Sequence, residues 1–283
     1  MRTPEGTLPD GNTRLYGVIG NPVSHSLSPT MHTAAFQSLS LNNVYLSFQF
    51  DSLDQALFKQ AFNLIGICGF NITVPYKQEI IYFLDDISPQ AKFLNSVNTV
   101  EIKDGHWIGH STDGEGYIRS VEEFFPNLRD SSVQLLGAGG SAAAISYALL
   151  NAGVKKLMIS NRTIGKAEKL VERLVQQFEP KRVEVGSYKK ESYDLLVNTT
   201  SVGMDGESCP CSKELVEQAK IVSDIIYKPA TTPLLKMAES MGKKIQNGLN
   251  MLIYQGAASF QIWTKQPAPV DVMKRVCKNQ HYL

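Results

Sequence analysis

A chain of 283 residues, 43% hydrophobic and 19% charged, is long enough for one large or two modest domains with buried cores. Its net charge of +1 supplies no long-range field for nucleic acid or an anionic membrane surface, and no apolar run approaches the roughly 20 residues that span a bilayer. Residues 1–13 are Pro-, Gly- and polar-rich and have no hydrophobic core for a leader, so they read as a flexible tail; the four cysteines, too few for a disulfide framework here, fit a reducing cytoplasm.

From residue 14 onward, apolar strand-like runs alternate with helical patterns. The runs are Leu15–Gly20, Val44–Phe50, Gly69–Val74, Val97–Ile102, Val133–Gly137, Lys156–Ser160, Leu195–Thr199 and Ile221–Ile226. Ser28-Pro29 reads as an N-cap and a first-turn proline, with Met31, Ala35 and Leu39 as the buried stripe of the helix that follows. Lys103-Asp104-Gly105-His106 is a hairpin turn between Val97–Ile102 and Trp107–Gly109. A polar stretch, His110 to Gly116, leads to a helix over Tyr117–Phe125 and a fresh βαβ unit from Ser132, which places a domain boundary near residues 110–117. Lys166 to Glu191 alternates in charge sign, as a solvated helix face and loop do. Helices over Leu249–Thr264 and Val270–Lys278 close the chain. Such alternation implies an α/β fold of mostly parallel sheets covered by helices.

The strand at Val133 runs into Gly137-Ala138-Gly139-Gly140-Ser141-Ala142, a G-x-G-x-x-A turn, and then into the alanine-rich helix Ala142–Leu150. This is the strand-turn-helix setting that dinucleotide binding requires. Gly137 permits the turn, Gly139 lets a pyrophosphate approach the backbone, Ala142 allows helix and strand to pack closely, and the helix N-terminus meets the phosphates. After the next strand comes Asn161-Arg162-Thr163. An acid that would accept from a ribose 2′-hydroxyl is missing there, and a guanidinium that can fork onto a 2′-phosphate stands instead, so NADP(H) is expected over NAD(H).

Four polar clusters sit where strands of the first half end: Gly20–Pro29, Asn71–Lys77, Asn95–Thr99 and Ser111–Gly114. Each alone is ordinary capping and turn chemistry. Together they supply hydroxyls, amides, one ammonium and one carboxylate, which suits a small polyhydroxylated acid. At these residues the chain resembles the shikimate dehydrogenase family. The matching segments are Gly20–Pro29, Asn71–Lys77, Ser96–Thr99, Gly109–Gly116, Gly137–Gly140, Asn161–Thr163 and Gly248–Gln255, in family order from about Tyr16 to Trp263.

The resemblance implies an N-terminal α/β substrate domain (residues 14–113 and 249–283), a Rossmann-type doubly wound NADP-binding domain (114–248) and a cleft between them. It implies Lys77 and Asp113 as the catalytic pair. Ser26, Ser28 and Tyr227 match groups near the substrate carboxylate, and Asn71, Thr73, Asn98 and Gln255 match partners of the ring hydroxyls. Gly137, Ala138, Gly139, Gly140, Ser141, Asn161, Arg162 and Thr163 match the cofactor site, with Gly248 and Met251 near the nicotinamide. Ser111, Ser96 and Asn250 depart from the family's usual Asn, Ala and Gly.

The implied reaction is reduction of 3-dehydroshikimate by NADPH, with Lys77 as donor to the carbonyl oxygen. Asp113 either orients Lys77 or takes the alcohol proton in the reverse direction. The implied partners are small molecules only, for a monomer or homodimer, without nucleic acid or membrane. Two alternatives stand beside it: a quinate/shikimate dehydrogenase with relaxed cofactor use, and a non-catalytic NADP-binding sensor. His25 braces the serine loop, and His32 packs or caps on a helix. His106, His110 and His281 lack partners at ligand spacing, and Cys209-Pro210-Cys211 lacks the two-residue gap of a zinc knuckle, so no metal is assigned.

Overall fold

The computed structural model of the chain describes residues 8–53, 55–188 and 192–281. Most of the tail and the end of the charged stretch, residues 189–191, lie outside the described residues; Asp10 and Thr13 are hydrogen-bonded to Asn42. The chain forms two compact units, one holding the residues up to Thr112 and from Ile253 onward, the other Asp113–Leu252.

In chain order the first unit begins with β1 (Arg14–Gly20), α1 (Ser28–Ser38), β2 (Asn43–Gln49), α2 (Gln55–Leu64) and β3 (Ile67–Ile72). It continues with β4 (Asp86–Ile87), α3 (Pro89–Leu94), β5 (Thr99–Lys103) and β6 (His106–His110). The second unit contains α4 (Asp113–Phe124), β7 (Ser132–Leu136), α5 (Gly140–Asn151), β8 (Lys156–Ser160), α6 (Ile164–Leu174) and β9 (Val183–Val185). Then come β10 (Tyr193–Asn198), α7 (Lys213–Gln218), β11 (Ala219–Asp224), α8 (Pro233–Ser240) and β12 (Lys244–Gln246). The chain closes with α9 (Leu249–Thr264) and α10 (Val270–His281).

The first unit's sheet has the order β2-β1-β3-β5-β6-β4. β1 is parallel to β2 and β3, whereas β5 is antiparallel to both β3 and β6. The carboxyl ends of β1, β3 and β6 and the amino end of β5 therefore share one edge. The register sets Asn71 opposite Thr99, and Thr99 opposite His110. The β5–β6 turn has positive φ at Asp104 and Gly105, 51° and 76°, the twist that joins hairpin strands tightly. One face of the sheet covers an aromatic core in which Phe58, Phe62 and Phe70 surround Trp107. Elsewhere in this unit, α1 lies against α10, and Phe36 and Trp263 pack around Tyr16 and His32, with Phe260 against Phe36.

The second unit's sheet is parallel throughout, in the order β12-β11-β10-β7-β8-β9. Strand order reverses between β7 and β10, the switch point at which such sheets leave a crevice for ligands. The four consecutive α5 residues Ala142 to Ile145 are buried, so this part of the helix is enclosed on nearly every side. α6 buries only Ala167, Leu170 and Leu174 and turns its charges outward, as its alternating sequence implies. α4 lies against α5 at Gly114, where a Cβ would sit 2.7 Å from the Ala144 carbonyl oxygen.

Several local expectations need correction. Leu27, not Ser28, occupies the N-cap of α1; Ser28 is its first helical residue, and no side chain caps the end. Leu39 caps the other end of α1 and is 37% exposed, so the buried stripe is Met31, Ala35 and Phe36. β3 ends at Ile72, because Thr73–Lys77 turns away, and β5 begins at Thr99 rather than Val97. The helix expected from Tyr117 starts four residues earlier, at Asp113. β4, β9 and β12 have two or three residues each, too short for any alternation to show in the sequence.

Candidate active site

In the first unit the shared sheet edge carries a buried polar network. The Asn71 amide donates to the Asn98 carbonyl oxygen at 3.0 Å, Thr99 Oγ1 at 3.1 Å and Ser259 Oγ at 2.9 Å. Its Oδ1 accepts from the Tyr45 hydroxyl at 2.7 Å. The Asn98 amide donates to Thr112 Oγ1 at 2.8 Å and to Gln255 Oε1 at 3.1 Å, while its Oδ1 accepts from the Thr112 N–H at 2.7 Å. Burial with full pairing makes such amides rigid, and removing one leaves its partners unsatisfied.

The expected ligand residues of this unit surround that network. Ser28 is buried, and its N–H donates to Ser26 Oγ at 3.2 Å. The Tyr45 hydroxyl lies against Ser28 as well as Asn71, and burial pushes its pKa well above 10. Thr73 is partly exposed on the turn after β3, where its methyl fills the space a side chain on Gly20 would need. Lys77 ends that turn half-buried, and its carbonyl oxygen accepts from the Val97 N–H at 2.9 Å, which holds the lysine backbone one residue from Asn98. Gln255 faces Asn98 from α9. Thus Asn71, Asn98 and Gln255 belong to one network, with Ser26 and Ser28 joined to it through Tyr45.

In the second unit Gly137 has φ +117°, and a Cβ there would lie 2.5 Å from Thr199 Oγ1, so both backbone and packing demand glycine. Gly139 differs: a Cβ would meet nothing within 4 Å. That open space lies at the N-cap of α5, where no side chain caps the helix. The first-turn N–H groups have no intrahelical acceptor, so the turn fits a pyrophosphate. Ala138, Gly140 and Ser141 are partly exposed around it. β8 ends opposite β7, Ser160 pairing with Leu136, which sets the Asn161–Thr163 turn beside the glycine turn. The Asn161 amide donates to the Thr163 carbonyl oxygen at 2.8 Å and holds that turn, and Arg162 is exposed on it. An exposed guanidinium without an acid at this strand end fits a 2′-phosphate.

Asp113 is buried as the first residue of α4. Tyr227 is partly exposed after β11. Met251 is buried on α9. Gly248 has a structural reason to be glycine: a Cβ would run into the Ile225 carbonyl, and its N–H donates to the Ile226 carbonyl oxygen at 3.0 Å. Asn250, a departure from the family pattern, donates to Glu123 at 3.3 Å.

Reasoning from sequence left out Tyr45 and Ser259, and placed Thr99 and Thr112 only within polar clusters without a role, although all four are bonded to Asn71 or Asn98. Ser259 carried a signal, since it follows Gln255 by four residues on one helix face. Tyr45 carried none, being one aromatic among several in an apolar strand. Asp224 was also missed; it is fully buried, and desolvation pushes its carboxyl up to about 6. Among the histidines, His32 is fully buried and stacked on Tyr45 at 4.5 Å. His106 and His110 each lie just under 4 Å from a single carboxylate, Asp85 and Glu101 respectively.

Residues 18–100 match the shikimate dehydrogenase substrate binding domain, 119–220 the shikimate / quinate 5-dehydrogenase domain and 248–278 the shikimate 5'-dehydrogenase C-terminal domain. A Staphylococcus aureus protein named shikimate dehydrogenase (NADP(+)) is 41% identical over 94% of this chain and 98% of its own. A solved shikimate dehydrogenase in complex with NADP+ is 35% identical, covers 98% of this chain and 99% of its own, and superposes with a TM-score of 0.90. A quinate dehydrogenase from Corynebacterium glutamicum in complex with NAD is 31% identical over 95% of this chain and all of its own, with a TM-score of 0.85. Identity at this level over nearly the whole length, with matches to both halves, makes this chain a member of the shikimate dehydrogenase family.

Proposed function

We propose that the chain catalyses the reversible NADPH-dependent reduction of 3-dehydroshikimate to shikimate, in aromatic amino acid biosynthesis. The observation that carries this is the match to NADP+-dependent shikimate dehydrogenases along nearly the whole length. The buried amide and hydroxyl network at the sheet edge beside Lys77 supports it, because it offers aligned donors and acceptors to a ring bearing several hydroxyls. The substrate carboxylate is met by Ser26, Ser28 and Tyr227, and the ring hydroxyls by Asn71, Thr73, Asn98 and Gln255.

Gly137–Ser141, Asn161–Thr163, Gly248 and Met251 would hold NADPH, which would supply the hydride for the reduction. Negative charge then grows on the ring oxygen, and Lys77 meets it with its ammonium and gives the proton. Asp113 holds Lys77 in place, or takes the alcohol proton in the oxidative direction, so that the two act as a coupled pair. The chain works as a monomer or homodimer in the cytoplasm. Cys68, Cys209, Cys211 and Cys277 are free thiols, and among the described residues no helix is long and apolar enough to cross a membrane.

The likeness to a quinate dehydrogenase complexed with NAD favours one second reading, relaxed use of quinate and NAD. Arg162, with no acid beside it, weighs against that reading. The test is absorbance at the reduced-nicotinamide band with shikimate and quinate, each with NADP+ and NAD+. Shikimate with NADP+ is expected to be the fastest combination; a faster rate with quinate and NAD+ gives the second reading, and no turnover with tight NADP+ binding gives the sensor. In the same assay Lys77→Ala should cut kcat by about 10²–10⁴-fold, the range of general acid catalysis, with a smaller change in KM. A raised KM at unchanged kcat would make Lys77 a binding group only.

A further inference from the structure

At the carboxyl edge of the second sheet a single buried carboxylate joins three elements. Asp224 ends β11 and is fully inaccessible. Its Oδ1 accepts from the Asn198 amide and from the Ile226 N–H, each at 3.0 Å, and its Oδ2 accepts from the Thr232 hydroxyl at 2.7 Å. Each partner has a second task. Asn198 ends β10, and its Oδ1 accepts from the N–H and hydroxyl of Thr200, at 3.0 and 2.8 Å; its amide also donates to the Val202 carbonyl oxygen at 3.2 Å. Ile226 precedes Tyr227, and its carbonyl oxygen accepts from Gly248. Thr232 is the N-cap of α8 and accepts from the Leu235 N–H.

We propose that Asp224 is a positioning residue that locks the loop after β10, residues 199–202, and the segment carrying Tyr227, residues 225–229, into one arrangement. This rests on the reading above: the first segment borders the glycine turn assigned to the cofactor, and the second carries Tyr227, assigned to the substrate carboxylate. Thr199 ties the first of them to that turn, donating to the Leu136 carbonyl oxygen at 2.6 Å and filling the space beside Gly137.

A carboxylate suits this junction because it accepts at both oxygens, whereas an asparagine would turn an N–H₂ toward Thr232. Burial pushes the Asp224 carboxyl up to about 6, so the buried charge costs folding stability at neutral pH. The titratable groups that face it are Tyr117 from α4 and Cys211 from the segment before α7, and burial raises the pKa of both. None of these groups is a cation that would offset the charge. A side chain kept at a cost in stability, with every bond directed at a strand end, a loop or a helix end, organises those ends rather than the core.

The test compares wild type, Asp224→Asn and Asp224→Ala by amide hydrogen exchange at residues 199–202 and 225–229, and by steady-state kinetics. Exchange in both segments should quicken in the order wild type, Asn, Ala, with the strands unchanged. Both KM values, for shikimate and for NADP+, should rise about tenfold in the alanine variant, as for a lost charge-assisted hydrogen bond, with kcat altered by less than about threefold. Asp224→Asn carries the test where the alanine variant does not accumulate, with the same signs and smaller size. Tyr227→Phe combined with Asp224→Asn should raise the shikimate KM by less than the product of the single effects, because both act through one segment. Unchanged exchange in both segments overturns the proposal, as does a loss confined to kcat or a product that multiplies fully. A wild-type chain that does not oxidise shikimate sinks the reaction assigned above instead, while the exchange measurement, which needs no turnover, still decides for Asp224.

Discussion

Arg162 is where one side chain decides between two cofactors. It is exposed on the turn after β8, beside the glycine turn, and the nearby Asn161 amide is spent on holding the turn together. The guanidinium is therefore the charged group at that strand end able to fork onto a 2′-phosphate. A charge-assisted contact is worth roughly 1.5–3 kcal/mol, so Arg162→Ala should raise KM for NADPH about ten- to a hundredfold and leave KM for NADH nearly unchanged. Equal losses with both cofactors in steady-state kinetics would remove Arg162 from this role. The same strand end shows what one residue can reveal: an arginine where an acid would accept from a ribose hydroxyl is a chemical choice legible in the sequence. The absence of an acid carries as much of that argument as the arginine does.

At the level of elements, two glycines of the second unit look alike in sequence and differ in the structure. A methyl on Gly139 meets no protein atom within 4 Å, and its φ is −88°, open to any residue. A methyl on Gly248 would run into the Ile225 backbone. Gly139→Ala should leave stability within about 1 kcal/mol, the cost of alanine at an N-cap, yet weaken NADP+ binding by crowding the pyrophosphate. Gly248→Ala should lower stability by about 1–3 kcal/mol, since the obstacle is backbone. Urea unfolding together with a fluorescence titration separates the two; a Gly139→Ala chain that binds NADP+ like wild type would show that the space above α5 is not the phosphate cradle. Long elements and the motifs at their ends were legible because each rests on a local rule: strand, turn, apolar helix. The buried stripe of α1 was misjudged at Leu39 because a helix end depends on where the chain turns, and three-residue edge strands leave no period to detect. Tyr45 and Asp224 were invisible for a different reason. Their partners Asn71 and Asn198 each lie 26 positions away in the sequence, and only the assembled sheets bring them together.

Across the whole molecule, two buried groups pull the response to pH in opposite directions. His32 in the first unit is fully buried with neither ring nitrogen hydrogen-bonded, and desolvation lowers its pKa to about 3. The unfolded chain, with an ordinary histidine near 6.5, binds the proton first, so His32 favours the folded state above pH 6.5 and ever less as pH falls toward 3. Asp224 in the second unit has the opposite sign. Its folded pKa, about 6, lies above the ordinary carboxyl value, so the folded state binds the proton first, and stability rises as pH falls from 6 toward 4. Between pH 7.5 and 5 each contribution is on the order of 1–2 kcal/mol, so they largely offset in wild type. The expected outcome is a wild-type melting temperature that changes little over this range. His32→Leu should hold its stability on acidification better than wild type, because the Asp224 response is no longer opposed by that of His32. Asp224→Asn should lose more stability on acidification than wild type, because His32 and His110, both lowered by burial, are no longer opposed by Asp224. Calorimetry at pH 7.5 and 5 reads both slopes. Parallel slopes in the two variants would mean that other carboxylates govern the acid response, and that burial of His32 and Asp224 leaves no trace in the stability of the molecule.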